Sequence, residues 1–155
     1  MELADILSEE SVLLCTGLKT KRDVLLKLAE QASKLTGHSA AELFEALNDR
    51  ETLGSTGLGN GIAVPHGKYA SLKSVIAVFV KLDAPVDFEA VDDQPVDLVM
   101  MLLAPMGAGA DHLKALARVA RVLRTDSVTE ALRRAATPAR LYAILTQPLE
   151  ANKAA

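Results

Sequence analysis

The chain has 155 residues, half of them hydrophobic and 24% charged, with a formal net charge of −3. That length suits one domain with a core large enough to need no disulfide or metal staple. The negative balance argues against nucleic acid as a partner, because such binders usually carry a basic excess. With 3% aromatic residues and no Trp, the core must be built from Leu, Val, Ile and Ala.

The opening Met1-Glu2-Leu3-Ala4-Asp5 is acidic where a secretion signal would be basic. The apolar stretches are strand-length, short of the roughly 20 residues of a membrane-spanning helix. A cytoplasmic protein without membrane insertion is expected. Cys15, the single cysteine, closes the apolar run Val12-Leu13-Leu14-Cys15 and reads as a buried small hydrophobe. The first third otherwise reads as helical. Thr20 and Asp23 have capping-box spacing, and Leu25, Leu28, Ala29, Ala32 and Leu35 share one helical face up to a stop at Gly37. Ser39 and Glu42 open a second helix that carries Leu43 and Leu47 and runs to about Arg50.

Residues 54–61, Gly-Ser-Thr-Gly-Leu-Gly-Asn-Gly, suit a tight loop where backbone approaches a ligand. Ile62-Ala63-Val64 is a short strand running into Pro65-His66-Gly67. Two continuous apolar runs follow, from Val75 to Val80 and from Val96 to Leu103. Continuous runs imply strands covered on both faces. Helices return afterwards. Asp111 is placed as the cap of one with Leu113, Leu116, Ala117, Ala120 and Leu123 inward, Ser127 and Glu130 open another, and Thr137-Pro138 opens a third anchored by Leu141, Ile144 and Leu145. The expected fold is a single three-layer α/β domain, residues 1–148, with a mixed sheet of about five strands between helices, then a frayed tail at 149–155.

The glycine segment fails the phosphate-loop test. Five residues, not four, separate Gly61 from Gly67-Lys68, and Tyr69 follows instead of a hydroxyl residue. It also fails the dinucleotide pattern, because an apolar run rather than a helix start follows it. Three histidines outside any metal-ligand spacing make zinc improbable, and no nucleophile-elbow serine occurs. No metal or cofactor is expected. His66 remains, held between Pro65 and Gly67, with Gly67 leaving space beside the imidazole; it is either a site histidine or a surface loop histidine without a role. Neutral imidazole is nucleophilic near pH 7, and an N–P bond is labile enough to pass its group on.

A phosphoryl site needs positioned donors. His112 falls in the first turn of a helix, where anions are favoured, although the spacing equally allows a solvated helix start. Arg50 can clamp phosphate, or simply answer the dipole at a helix end. Ser55 and Thr56 offer hydroxyls, or form a turn. Lys68 adds positive charge or is solvated, and His38 is expected to be exposed.

The nineteen residues from Arg50 to Lys68 closely resemble the active-site signature of enzyme IIA proteins of the mannitol/fructose class, part of the bacterial phosphoenolpyruvate-dependent phosphotransferase system. The similarity extends to Gln94-Pro95-Val96-Asp97-Leu98 and to His112-Leu113. It implies that His66 accepts a phosphoryl group through Nε2 from a phosphohistidine on an HPr-type carrier. It also implies that His112 lies beside it, that Arg50 contacts the phosphoryl group, and that Ser55 and Thr56 lie near. The Leu3-Ala4-Asp5-Ile6-Leu7 opening resembles the nitrogen-regulatory branch, whose members act on target proteins through their phosphorylation state, potassium transporters and sensor kinases among them. The alternative is a sugar-specific enzyme IIA that hands phosphate to an enzyme IIB.

Overall fold

The computed structural model describes residues 1–148, so the expected tail, 149–155, lies outside the described residues. Two short turns of 3-10 helix, Leu3–Asp5 and Glu9–Ser11, lead into β1 (Val12–Cys15). β1 pairs in parallel with β5 (Ile76–Val86), Val12 opposite Phe79 and Cys15 opposite Leu82. This strand corrects the reading of the first third as wholly helical. A four-residue apolar run cannot sustain a helix, but it completes a ladder beside an existing strand. Cys15 is buried, as expected.

Helices α1 (Lys21–Thr36) and α2 (Ala40–Thr52) follow. Thr20 and Asp23 form the reciprocal cap of α1, and Gly37 ends it in the left-handed region at φ 80°. Ser39 caps α2 through the Glu42 amide, while the Glu42 carboxylate bonds the Tyr69 hydroxyl. α2 runs two residues past Arg50.

The glycine segment is a hairpin rather than an open loop. β2 (Gly57–Gly59) pairs antiparallel with β3 (Ile62–Ala63). Asn60 and Gly61 turn the chain at φ 57° and 81°, the left-handed pair that a tight hairpin demands. The glycines also accommodate neighbours: a Cβ on Gly57 would lie 2.7 Å from that of Ala90. Close packing, not approach to a ligand, accounts for both positions.

β3 and β4 (His66–Lys68) form one interrupted strand along β6 (Val96–Ala104). Ile62 opposes Leu98 and His66 opposes Leu102, the same register on either side of Val64-Pro65. Proline has no N–H for the ladder, but its carbonyl still accepts from the Leu102 amide. β6 also pairs antiparallel with β5, giving a mixed six-stranded sheet in the order β1-β5-β6-β3-β2 with β4 on β6.

Helices α3 (Ala110–Leu123), α4 (Asp126–Arg134) and α5 (Pro138–Thr146) complete the chain. Phe79, Leu98, Met100 and Leu102 pack with α3–α5, and Val78, Val80, Val99, Met101 and Leu103 pack with α1 and α2. That alternation produces the expected three layers.

Two helix readings need correction. Gly109, at φ 48°, is the N-cap of α3, and Asp111 lies inside the first turn. The inward face is His112, Ala115, Val119, Val122 and Leu123, whereas Leu113 is 70% exposed. The apolar pattern alone misplaced the face because it could not count a histidine as buried. α4 starts one residue earlier than expected, behind Thr125, and α5 is capped by Thr137 as expected. No helix of the described residues is long and apolar enough to cross a membrane.

Arg133 on α4 clamps the hairpin. Its Nη2 donates to the Asn60 carbonyl at 2.6 Å, and with Nε it makes a two-pronged contact on Asp97 of β6. A Cβ on Gly61 would sit 2.5 Å from Arg133 Nη2 and 2.8 Å from Asp97 Oδ1. Gly61→Ala is therefore expected to lower unfolding free energy by about 1–3 kcal/mol, from a strained positive φ and a displaced guanidinium. A urea midpoint shift at constant m would show it, and an unchanged midpoint would contradict it.

Candidate functional site

The interrupted strand decides where His66 points. Ile62 and Val64 pack into the α3–α5 cluster, Ala63 packs into the opposite one, and His66 has the parity of Ile62 and Val64. It therefore faces α3, where His112 occupies the inward face of the first turn. The two imidazole rings meet edge to face with centroids 5.8 Å apart. Gly67, of opposite parity, lies against α2, and a Cβ there would be 3.0 Å from the Ala46 carbonyl oxygen. The glycine after His66 thus makes room for α2 and not for the imidazole.

Val64 sets the chemistry of the His66 ring. The Nδ1 atom lies 2.9 Å from the Val64 carbonyl oxygen. A carbonyl only accepts, so Nδ1 carries the hydrogen and Nε2 keeps its lone pair. His66 is half-buried, and Nε2 is the nucleophilic atom.

His112 is 7% exposed, and its Nε2 is a buried polar atom without a hydrogen-bond partner among the described residues. Leaving such an atom unpaired costs about 1–3 kcal/mol, which an incoming oxygen would recover. Burial pushes the His112 pKa down, and the nearby His66 and Lys68 push it further in the same direction. His112 is therefore neutral at pH 7.

The other candidates are held in the loop that leads to β2. Arg50 donates from Nη1 to the Gly54 carbonyl at 2.8 Å, which commits one of its five N–H groups. The Ser55 hydroxyl donates to the Phe88 carbonyl and accepts from the Gly57 amide. Thr56 is buried, and its hydroxyl bonds the Glu51 carboxylate. The structure thus brings His66 and His112 together, and it engages Arg50, Ser55 and Thr56 in shaping the loop. Lys68 is exposed, as the solvated reading had it. His38 is half-buried and packs against Tyr69 at 5.2 Å, apart from the histidine pair.

Sequence reasoning missed two ion pairs. The Glu51 side chain is 2% exposed and lies 2.7 Å from Lys21 Nζ, which also sits over the Phe88 ring. Arg133 and Asp97 form the second. Each joins residues at least thirty positions apart, beyond the reach of helical or strand spacing. Two surface depressions, of about 500 and 430 Å³, are lined by neither His66 nor His112. His66, half-buried, is met from the surface.

Residues 5–147 match the family described as phosphoenolpyruvate-dependent sugar phosphotransferase system, EIIA 2. A nitrogen regulatory protein of Bradyrhizobium diazoefficiens is 45% identical over 148 residues, covering 96% of this chain and 97% of that one. The crystal structure of nitrogen regulatory protein IIA-Ntr from Neisseria meningitidis superposes with a TM-score of 0.86 at 33% identity, over 93% of this chain and 99% of that one. The enzyme IIA of the Escherichia coli mannitol system, solved in complex with its phosphorylated enzyme IIB, gives 0.72 at 26% identity, over 90% and 96%.

The depressed pKa of His112 has a consequence for stability. Below pH about 6.5 the unfolded chain binds a proton that the folded chain refuses, so stability falls as pH drops through that window. His112→Gln is expected to flatten the slope of unfolding free energy against pH just below 6.5. Equal slopes in parent and variant would contradict the assignment.

Proposed function

We propose, since the chain belongs to the EIIA 2 family of the phosphoenolpyruvate-dependent sugar phosphotransferase system, that His66 receives a phosphoryl group from an HPr-type carrier and that the chain regulates target proteins through its phosphorylation state. One observation carries the reading: His66 Nδ1 is tied to a carbonyl, which leaves Nε2 free beside the buried, unpartnered Nε2 of His112. An acceptor met from the surface suits a protein donor better than a small molecule.

The lone pair of Nε2 attacks phosphorus in line with the donor nitrogen. The donor P–N bond breaks and its electron pair returns to the donor ring. Positive charge grows on the His66 ring as the new bond forms, and the Val64 carbonyl on Nδ1–H stabilises it. His112, neutral, gives an N–H to a phosphoryl oxygen. Arg50, with guanidinium donors beyond the one given to Gly54, offsets the negative charge. Ser55 and Thr56 hold the loop that frames the group, since direct contact with phosphate would require their present bonds to break.

The regulatory branch is supported by the 45% identity to a nitrogen regulatory protein that the chain matches end to end. The chain acts in the cytoplasm on this reading, and potassium-transport and sensor-kinase proteins are the target classes to examine first. The mannitol relative, solved with a phosphorylated enzyme IIB, supports a second reading at lower identity, in which the phosphoryl group passes to an enzyme IIB for sugar uptake.

Incubation with phosphoenolpyruvate, enzyme I and an HPr-type carrier is expected to give an acid-labile, alkali-stable phosphoprotein. His66→Ala is expected to lose the label entirely, and labelling of that variant at the parental level would overturn the assignment. His112→Gln is expected to accept phosphate on the order of 10² times more slowly, the loss typical of one preorganised donor. Onward transfer to an enzyme IIB cysteine would favour the transport reading over the regulatory one.

A further inference from the structure

A continuous run of contacts connects the buried ion pair to the ring of His66. Lys21 Nζ on α1 lies 2.7 Å from Glu51 Oε2 at the end of α2. The same oxygen accepts from the Thr56 amide at 3.3 Å, and Glu51 Oε1 bonds the Thr56 hydroxyl. The Thr56 carbonyl then accepts from the Val64 amide at 3.0 Å. The Val64 carbonyl, at 2.9 Å, holds His66 Nδ1.

The ends of the intervening segment are pinned separately. Arg50 holds Gly54, Ser55 holds Phe88, and Arg133 holds Asn60. Between Gly54 and Val64 the Thr56–Val64 bond lies beyond the β2–β3 ladder, next to the proline that interrupts the strand. The Val64 carbonyl therefore depends on Thr56 for its orientation, and Thr56 depends on a carboxylate that meets both its amide and its hydroxyl.

We infer that Glu51 is a positioning residue for phosphoryl acceptance: through Thr56 and Val64 it holds the His66 ring in the orientation and tautomer that present Nε2. The inference rests on His66 being the acceptor and adds a residue that does not touch the phosphoryl group. Lys21 balances the buried charge of Glu51 without reaching Thr56. A misplacement of about 1 Å at a nucleophile costs on the order of 10²-fold in rate.

The test compares Glu51→Leu, made together with Lys21→Met so that no lone cation is buried, with Glu51→Gln. A glutamine can keep the Thr56 amide on Oε1 and offer Nε2–H to the Thr56 hydroxyl, so it serves as the conservative variant. The ¹⁵N shifts of the His66 ring report the tautomer in the unphosphorylated protein, and labelling by the carrier gives kcat and KM. In the double variant the Nδ1–H form is expected to lose its predominance. Its kcat is expected to fall about 10- to 100-fold with KM within about twofold. Glu51→Gln is expected to retain the parental shifts and most of kcat.

Parental ring shifts in the double variant would overturn the inference, and so would a fall in kcat with the tautomer unchanged, since that is a merely structural effect. If the double variant does not fold, Thr56→Val carries the same test by deleting the hydroxyl arm alone. It is expected to move the ring shifts in the same direction, and unchanged shifts overturn the inference. The tautomer measurement needs no donor, so it judges Glu51 even if the parent protein accepts no phosphoryl group.

Discussion

The hydrogen bond from His66 Nδ1 to the Val64 carbonyl determines which nitrogen of the ring keeps its lone pair. An imidazole free to exchange tautomers presents a lone pair on either nitrogen, and rotates. One bond to a main-chain acceptor removes both freedoms and leaves the charge that grows on the ring already solvated. The Val64 carbonyl lies just beyond the last β2–β3 pair and serves a side chain two residues on, while β4 continues the pairing with β6 in the same register. The sheet therefore places the ring, and the end of the hairpin ladder supplies the carbonyl that holds it.

The second determinant is an unsatisfied group. A buried histidine nitrogen without a partner weakens the resting fold, and α3 carries one on its inward face at its first turn. Its cost is tolerable because burial, aided by the nearby imidazole and Lys68, keeps it neutral, so no charge is buried. The same arrangement reverses when an anion arrives. In the proposed phosphorylated form, a phosphoryl dianion beside His112 would supply the missing acceptor and favour its charged state, changing both charge and hydrogen bonding at one surface point. A partner docking there would meet two electrostatically distinct forms.

Much of this was legible in the residues. The caps at Thr20, Gly37 and Thr137, the two long buried strands and the layer order follow from local rules with near neighbours. Pro65-His66-Gly67 singled out the acceptor candidate, although the residues alone also allowed a surface loop histidine, and the family resemblance supplied the assigned roles. What stayed hidden depended on distant parts of the chain. The Val12–Cys15 strand needs β5 beside it to be a strand, and the face of α3 turns on whether a histidine may be buried. The Glu51 carboxylate, inside an ordinary helical stretch, gains meaning only from Lys21 and Thr56. The glycines misled in the other direction. Their spacing suggested a cradle for a ligand, but Gly61 and Gly67 make room for an arginine and a helix backbone.

The central claim is that the phosphoryl group resides on Nε2 of His66 while Nδ1 keeps its hydrogen on Val64. A ³¹P–¹⁵N correlation spectrum of the phosphorylated, ¹⁵N-histidine-labelled protein tests this directly. The account predicts a one-bond coupling to His66 Nε2, with Nδ1 of the same ring still protonated. Coupling to His66 Nδ1, or to either nitrogen of His112, would contradict it.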